Sequence, residues 1–232
     1  MDKIELIDKS PVTKQEKEVF RTLRTNIEFT GVENRVIAVT SCTPDDGKTT
    51  VSFQLACAFA ENGKKTLYID ADLRKSVFIQ RFSVKGKPVG LCHYLSGQTP
   101  ILDAMYKTNI ERLYVMPVGA YPTNPTELLA KDRLGQMLTE LKKAFDYIIV
   151  DTPPLGSVID AAIIAKQCDA SMLVLASDNS SRKFVRDVVN RLKVANPHFL
   201  GVVLNKVNIK NSYYGKYYGS YYGSYYGVDE EF

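Results

Sequence analysis

Short apolar segments alternate along this 232-residue chain with longer segments in which apolar residues recur at helical spacing. The apolar segments are bounded by turn-forming residues and predict strands at 36–40, 66–69, 113–117, 147–150, 171–176 and 200–207. The intervening segments predict helices at 51–61, 133–145, 161–167 and 183–195. This alternation predicts an α/β fold with a doubly wound, mainly parallel sheet flanked by helices on both faces.

Residues 14–29 precede the first predicted strand and have the pattern of an amphipathic helix. The apolar side of this helix is formed by Val19, Phe20, Leu23 and Ile27. The charged side carries Glu18, Arg21 and Arg24. We interpret Phe20, Leu23 and Ile27 as packing residues rather than ligand contacts.

Eight of the fourteen tyrosines follow the last predicted strand, in four repeats that each begin with YYG. They are Tyr213, Tyr214, Tyr217, Tyr218, Tyr221, Tyr222, Tyr225 and Tyr226. Every repeat contains a glycine, and no aliphatic residue precedes Val228 in these repeats, so the segment cannot bury enough apolar surface to offset the entropy of ordering it. We therefore predict a domain over residues 1–207 and a flexible C-terminal tail over residues 208–232.

The composition argues against several classes of protein. With 45% hydrophobic and 24% charged residues, the chain resembles a soluble globular protein. No segment approaches the roughly 18 apolar residues of a membrane span, and the N-terminus is too charged for a secretory signal, so we expect the cytoplasm. The net charge of +4 is dispersed and does not favour nucleic acid. Cys42, Cys57, Cys92 and Cys168 are widely spaced, which indicates reduced thiols rather than disulfides or zinc ligands.

The segment SCTPDDGKTT connects the first predicted strand to a helix, which is the context of a Walker A phosphate loop. Gly47 permits close backbone approach, Lys48 is expected to reach the β- and γ-phosphates, and Thr49 to offer its hydroxyl to Mg²⁺. The match is incomplete, because Ser41 replaces the first glycine of the motif and Pro44 lacks an N–H donor.

Two acidic residues in this loop are unusual neighbours for a polyanion. We expect the side chains of Asp45 and Asp46 to point to solvent while their amides face the ligand. The residues predicted to surround ATP are Ser41, Thr43, Pro44, Asp45, Asp46, Gly47, Lys48, Thr49 and Thr50.

Two further predicted strands end in acidic residues: Asp70 and Asp72 follow one strand, and Asp151 follows another. Because ligands bind outside the carboxyl ends of the strands in a doubly wound sheet, these acids and the phosphate loop should share one edge. Asp151 has the position of an acid that holds Mg²⁺ through its waters, and Asp70 or Asp72 can take a proton from an incoming hydroxyl. The alternative for Asp70 and Asp72 is a strand-end aspartate that caps a turn. Arg74 either steadies transferred charge or forms a surface ion pair.

The motifs IAVTSCTPDDGKTT, LYIDADLR and IIVDTPP, followed by the tyrosine cluster, resemble those of the bacterial tyrosine kinases of the BY-kinase family. These are P-loop kinases that govern export of capsular and extracellular polysaccharides. The resemblance implies a P-loop NTPase-like kinase domain that uses ATP and Mg²⁺ to phosphorylate its own tyrosine cluster, with Lys48, Asp70 and Asp72 as catalytic residues. Thr49, Asp72 and Asp151 are the implied metal ligands, and Asp70 is the favoured base.

The resemblance also implies partners. Glu18, Arg21 and Arg24 match the family's ExxRxxR subunit-contact helix, so a ring-shaped homo-oligomer and transfer between subunits are expected. Residues 122–129 look like the family's proline-rich loop. The chain is similar to the split form of the family, which implies a separate transmembrane activator that recruits the kinase to the inner face of the cell membrane. A protein-tyrosine phosphatase is a further implied partner.

Three other classes of protein are weaker matches. A partitioning ATPase of the ParA/MinD type has a loop lysine at the position of Thr43, which cannot act as a trans-acting cation. A GTPase needs an aspartate after Asn205 and Lys206 in its guanine motif, where this chain has Asn208. A non-enzymatic scaffold of self-associating tyrosine and glycine repeats leaves the Mg²⁺ constellation unexplained.

Overall fold

A computed structural model describes residues 2–9, 11–82, 84, 86–177 and 179–207, and a seven-stranded sheet forms its centre. The strands are β1 (Val36–Ser41), β2 (Thr66–Asp70), β3 (Tyr106–Lys107), β4 (Leu113–Met116), β5 (Tyr147–Asp151), β6 (Ala170–Ala176) and β7 (Phe199–Asn205). Their order is β3-β4-β2-β5-β1-β6-β7, and every neighbouring pair is parallel except β3 and β4. The predicted doubly wound, mainly parallel sheet is confirmed.

Eight α-helices accompany the sheet in the described part of the chain. They are α1 (Lys14–Glu28), α2 (Lys48–Glu61), α3 (Phe78–Arg81), α4 (Leu91–Leu95), α5 (Pro125–Leu129), α6 (Arg133–Leu141), α7 (Asp160–Ala165) and α8 (Arg182–Ala195). The predicted helices are all present, whereas α3, α4, α5 and the two-residue strand β3 are too short to produce a periodic pattern. Within the described ranges, no helix combines the length and hydropathy needed to cross a membrane.

Helix α2 is buried on almost every side because it lies between the sheet and α1. Phe53, Leu55 and Phe59 are almost fully buried in the core beneath it, and Ile27 of α1 closes the outer side. The expectation for α1 is wrong at Val19, whose side chain is 63% exposed. The N-terminal helix therefore packs on the core through Phe20, Leu23 and Ile27 and leaves an apolar residue in solvent.

Strand register brings the acidic strand ends together. In the β2–β5 pair, Asp70 lies directly opposite Asp151, and in the β1–β5 pair Val39 lies opposite Asp151. The phosphate loop leaves β1 two residues later, at the same edge of the sheet. The predicted tail, residues 208–232 with its eight candidate tyrosines, lies outside the described residues.

Candidate functional site

The phosphate loop depends on a glycine in a left-handed conformation. Gly47 has a φ of +92° at the N-terminus of α2, and a Cβ atom there would lie 2.1 Å from the side-chain nitrogen of Asn205. Asn205 itself donates to the carbonyl of Asp46 at 2.9 Å, and Lys206 donates to the carbonyl of Asp45 at 2.6 Å. The end of β7 therefore closes over the loop, and the first amides of α2 stay free to bind an anion.

The two loop aspartates have different environments. Asp45 is exposed, as expected, but the expectation that the Asp46 side chain points to solvent is wrong. Asp46 is fully buried and accepts hydrogen bonds from the backbone N–H of Thr43 at 2.8 Å and of Ala176 at 3.3 Å, and from the Asn179 side chain at 2.9 Å. Since it fixes the loop to the end of β6, this carboxylate shapes the cradle without facing a ligand.

Hydrogen bonds also hold Ser41 and Thr50, two further residues predicted to surround ATP. The Ser41 hydroxyl is buried and donates to the carbonyl of Thr43 at 2.8 Å, while Pro44 is exposed. Thr50 accepts a hydrogen bond from Arg81. Their contacts with ATP remain predictions.

Lys48 lies among three carboxylates. Its Nζ is 3.2 Å from Oδ2 of Asp72 and 3.9 Å from Oδ1 of Asp151. Burial by itself lowers the pKa of Lys48, but Asp151, Asp72 and Asp70 together raise it above its usual value. The ammonium group therefore stays charged in the site and compensates part of the acidic cluster.

Asp151 is braced by two hydroxyl groups. Thr49 donates to Oδ2 of Asp151 at 2.6 Å, and the fully buried Tyr68 donates to the same oxygen at 3.0 Å. The other oxygen, Oδ1, is buried without a hydrogen-bond partner, and burial raises the pKa of Asp151 despite Lys48 and the hydroxyls. An unsatisfied buried carboxylate oxygen beside a threonine hydroxyl fits a hard cation such as Mg²⁺.

Among the described residues, no group of three or more His, Cys, Asp and Glu side chains is arranged as a ready-made metal site.

Asp70 and Asp72 both accept hydrogen bonds in the turn after β2, and their role as proton acceptors remains a prediction. Burial and the neighbouring Asp151 raise the pKa of Asp70 to about 8, while a hydrogen bond from the Ser76 hydroxyl opposes the shift. Asp72 accepts backbone N–H bonds from Arg74 at 3.3 Å and Lys75 at 3.0 Å through Oδ1, and keeps Oδ2 toward Lys48. Asp72 therefore caps the turn with one oxygen and faces the site with the other.

Arg74 forms an ion pair, which is one of the two roles that its position in the sequence allowed. Its guanidinium contacts both oxygens of the buried Asp160, at 2.6 and 3.1 Å, and donates to Thr126 at 2.8 Å. Thr126 also donates to Asp160 at 2.7 Å. This network connects the segment after β2 to the predicted proline-rich loop and to α7.

The charged side of α1 makes contacts within the subunit. Arg21 pairs with Glu18 and, at 3.4 Å, with Glu61 of α2. Arg24 donates to the carbonyl of Ala58 at 3.2 Å and lies 3.7 Å from Glu28. Glu18 and Arg21 remain about half exposed, whereas Arg24 is mostly covered.

The sequence did not indicate that the Tyr68 and Ser76 hydroxyls bind the site aspartates, or that Asn205 closes over the phosphate loop. Tyr68 occupies an ordinary apolar strand position, and only the pairing of β2 with β5 shows that its hydroxyl reaches Asp151. Cys42, Cys57, Cys92 and Cys168 are free cysteines in the structure.

Comparisons with known proteins agree with this geometry. The family described as an AAA domain matches residues 34–199. The chain is 43% identical over 216 residues to the tyrosine-protein kinase CpsD of Streptococcus agalactiae, covering 93% of this chain and 94% of that protein. The kinase domain of the Escherichia coli tyrosine kinase ETK superposes with a TM-score of 0.78 at 36% identity, covering 82% of this chain and 75% of that one.

A more distant structure is the septum site-determining protein MinD of Pyrococcus horikoshii, complexed with Mg-ADP. It superposes with a TM-score of 0.65 at 28% identity and covers 75% of this chain and 71% of that one. The architecture is therefore shared with a protein that holds a magnesium nucleotide.

Proposed function

The chain belongs to the family of bacterial tyrosine-protein kinases, and from this premise we propose that it uses ATP and Mg²⁺ to phosphorylate its own C-terminal tyrosines. Membership in this family removes the scaffold and the partitioning ATPase as alternatives. The proposed acceptors are the tyrosines of the four YYG repeats.

One observation carries the proposal: the side chains of Lys48, Thr49, Asp72 and Asp151 converge at one edge of the sheet. Lys48 is within 4 Å of both acids, and Thr49 bonds directly to Asp151. Phosphoryl transfer is mainly positioning and charge stabilisation, so a cradle of amides, a lysine and a metal-binding acid are the parts that it requires.

We assign a role to each of these groups. Lys48 and the first amides of α2 bind the phosphates, and Thr49, Asp72 and Asp151 hold Mg²⁺ directly or through water. Bound Mg²⁺ neutralises charge that develops on the phosphate oxygens. Asp70 accepts the proton of the incoming tyrosine hydroxyl, since a raised pKa suits a base that works near neutral pH.

The exit of β7 supports the choice of acceptor. Asn205 and Lys206 contact the phosphate loop, so the chain enters the tail beside the proposed nucleotide site. A flexible segment of about ten residues reaches roughly 15 to 20 Å, which allows transfer within a subunit or to a neighbour. We favour the neighbour, because the exposed Val19, Glu18 and Arg21 form a free surface on α1 that suits subunit contact.

The experiment mixes two full-length chains. One carries Lys48→Met with an intact tail and is labelled with ¹⁵N, and the other is active but has all eight tail tyrosines replaced by Phe. We expect phosphotyrosine on the labelled tail, and none when the labelled chain is incubated alone. Phosphate that stays absent from the labelled tail, while unmixed wild type phosphorylates itself, would exclude transfer between subunits.

We further propose that a transmembrane activator recruits the kinase to the inner face of the cell membrane and that a protein-tyrosine phosphatase reverses the reaction. The cycle would regulate capsular or extracellular polysaccharide synthesis and export. A strain that carries Lys48→Met should then lose the phosphotyrosine signal of this chain and change the amount or length of its polysaccharide. Unchanged polysaccharide in such a strain would contradict the regulatory role.

A further inference from the structure

In the described part of the chain, Tyr121 is an exposed tyrosine that contacts the segment after β2. Among the tyrosines of the described residues it alone has an exposed side chain, with 58% of its surface open to solvent. Its hydroxyl donates to the backbone carbonyl of Ser76 at 3.3 Å, and the Ser76 hydroxyl in turn donates to Asp70. One residue therefore separates this phenol from the proposed base.

The loop that carries Tyr121 is fixed at both ends. On one side, the backbone N–H groups of Leu91 and Cys92 donate to the carbonyls of Pro117 and Val118 at 2.8 and 2.9 Å. On the other side, Thr126 bonds to Arg74 and Asp160. Both ends of the loop that carries Tyr121 are therefore anchored to neighbouring elements.

The electrostatic environment agrees with this placement. Partial burial, followed by the charges of Asp70 and Asp72, raises the pKa of Tyr121. The contacts through Ser76 place the phenol next to the segment that orients Asp70. Tyr114, in contrast, packs against Phe145 and has no contact with the acidic cluster.

We propose that Tyr121 is a phosphoacceptor of its own subunit, separate from the C-terminal tyrosines; this inference rests on the proposed kinase function. The Tyr121 oxygen forms a bond to the γ-phosphorus of ATP. The bond from that phosphorus to the β,γ-bridging oxygen breaks, and ADP leaves with the electron pair. The phenolic proton passes to the Asp70 carboxylate.

The test uses the full-length chain with its eight tail tyrosines replaced by Phe. After incubation with ATP and Mg²⁺, trypsin releases residues 113–131 as one peptide that contains both Tyr114 and Tyr121. We expect phosphate on Tyr121 and none on Tyr114, and complete loss of the signal when Lys48→Met is added. The further change Tyr121→Phe should remove the modified peptide without lowering the melting temperature, since the hydroxyl lies at the surface.

Wild-type chain and a mixture of labelled and unlabelled chains show which proposal fails if the expected phosphate is not found. Wild-type chain that is phosphorylated in its tail but carries no phosphate on Tyr121, in either background, overturns the Tyr121 proposal and leaves the proposed function intact. Wild-type chain without phosphotyrosine anywhere overturns the proposed function. In a mixture with ¹⁵N-labelled Lys48→Met chains, phosphate on Tyr121 of the labelled chain overturns transfer within the subunit.

Discussion

The two acidic strand ends at the site differ in how they leave the sheet. After β5, Thr152 donates through its amide and its hydroxyl to the carbonyl of Val39, and Leu155 donates to the carbonyl of Ser41. This end stays buried and tied to β1. After β2, one bond from Ala71 to the carbonyl of Asp151 continues the sheet, and the chain then turns outward until Lys75 is exposed.

The difference suggests that the two strand ends have separate roles in catalysis. Asp151 is held by Thr49 and Tyr68 within a rigid frame, as a metal ligand requires. Asp70 is held by Ser76, which belongs to a partly exposed segment that an incoming tyrosine can approach. Substitutions at the two ends should therefore have different kinetic effects, with metal dependence changed at β5 and turnover changed at β2.

Asp151→Asn should give the largest loss. The amide cannot supply the negative charge that Mg²⁺ requires, so we expect kcat/KM to fall about a thousandfold, corresponding to several kcal/mol. The Mg²⁺ concentration for half-maximal rate should rise as well. Initial rates across a Mg²⁺ titration measure both effects. A variant with normal Mg²⁺ dependence would contradict the role assigned to the β5 end.

Asp70→Asn should lower turnover about a hundredfold, which is within the usual range for loss of a general base. Nucleotide affinity, measured by calorimetry with a non-hydrolysable ATP analogue, should stay near the wild-type value. The melting temperature without nucleotide should rise by about 2 to 4 °C at neutral pH, corresponding to roughly 1 kcal/mol. A carboxyl whose pKa is raised to about 8 by burial destabilises the folded chain at a pH where the unfolded chain holds it ionised, and the amide carries no such cost. A drop in both melting temperature and affinity would mean that Asp70 supports the structure instead.

Tyr68→Phe removes the β2 hydroxyl that donates to Asp151 at the β5 end, with little change in packing volume. Tyr68 positions a metal-binding carboxylate, so we expect about a tenfold loss of activity and a higher Mg²⁺ concentration for half-maximal rate. Losses of this size are usual when a hydrogen-bond partner of a metal ligand is removed. Tyr147→Phe is the matched control, because Tyr147 stacks on Phe59 away from the cluster. Equal effects of Tyr68→Phe and Tyr147→Phe would contradict the proposal that Tyr68 positions Asp151.

The sequence predicts the sheet and the shared edge of the three motifs because both follow from local patterns. Apolar segments bounded by turns indicate the strands, and the rule that ligands bind at the carboxyl ends brings Lys48, Asp70 and Asp151 together. The structure agrees, with Asp70 directly opposite Asp151.

The side-chain partners were not predictable, because they join residues far apart in the chain. Asp46 stands beside a solvent-exposed aspartate in an acidic dipeptide, yet it is buried and bound by Ala176 at the end of β6 and by Asn179 just after it, more than a hundred residues later. The Tyr68 hydroxyl bonds across to the neighbouring strand, and Val19 is exposed although the next residue, Phe20, packs against the core. Local pattern determines which element forms, whereas tertiary packing decides which side chains it buries.

Ser76→Ala should have the smallest effect and tests the β2 end alone. The substitution removes one hydrogen bond that orients Asp70, worth about 1 kcal/mol, so kcat should fall about fivefold. The half-maximal Mg²⁺ concentration should not change, because Ser76 has no contact with Asp151 or Thr49. Ser76→Thr keeps the hydroxyl and should restore most of the rate. If Ser76→Ala instead raised the half-maximal Mg²⁺ concentration as Tyr68→Phe is expected to do, the two strand ends would act as one unit. The proposal that they have separate roles would then be wrong.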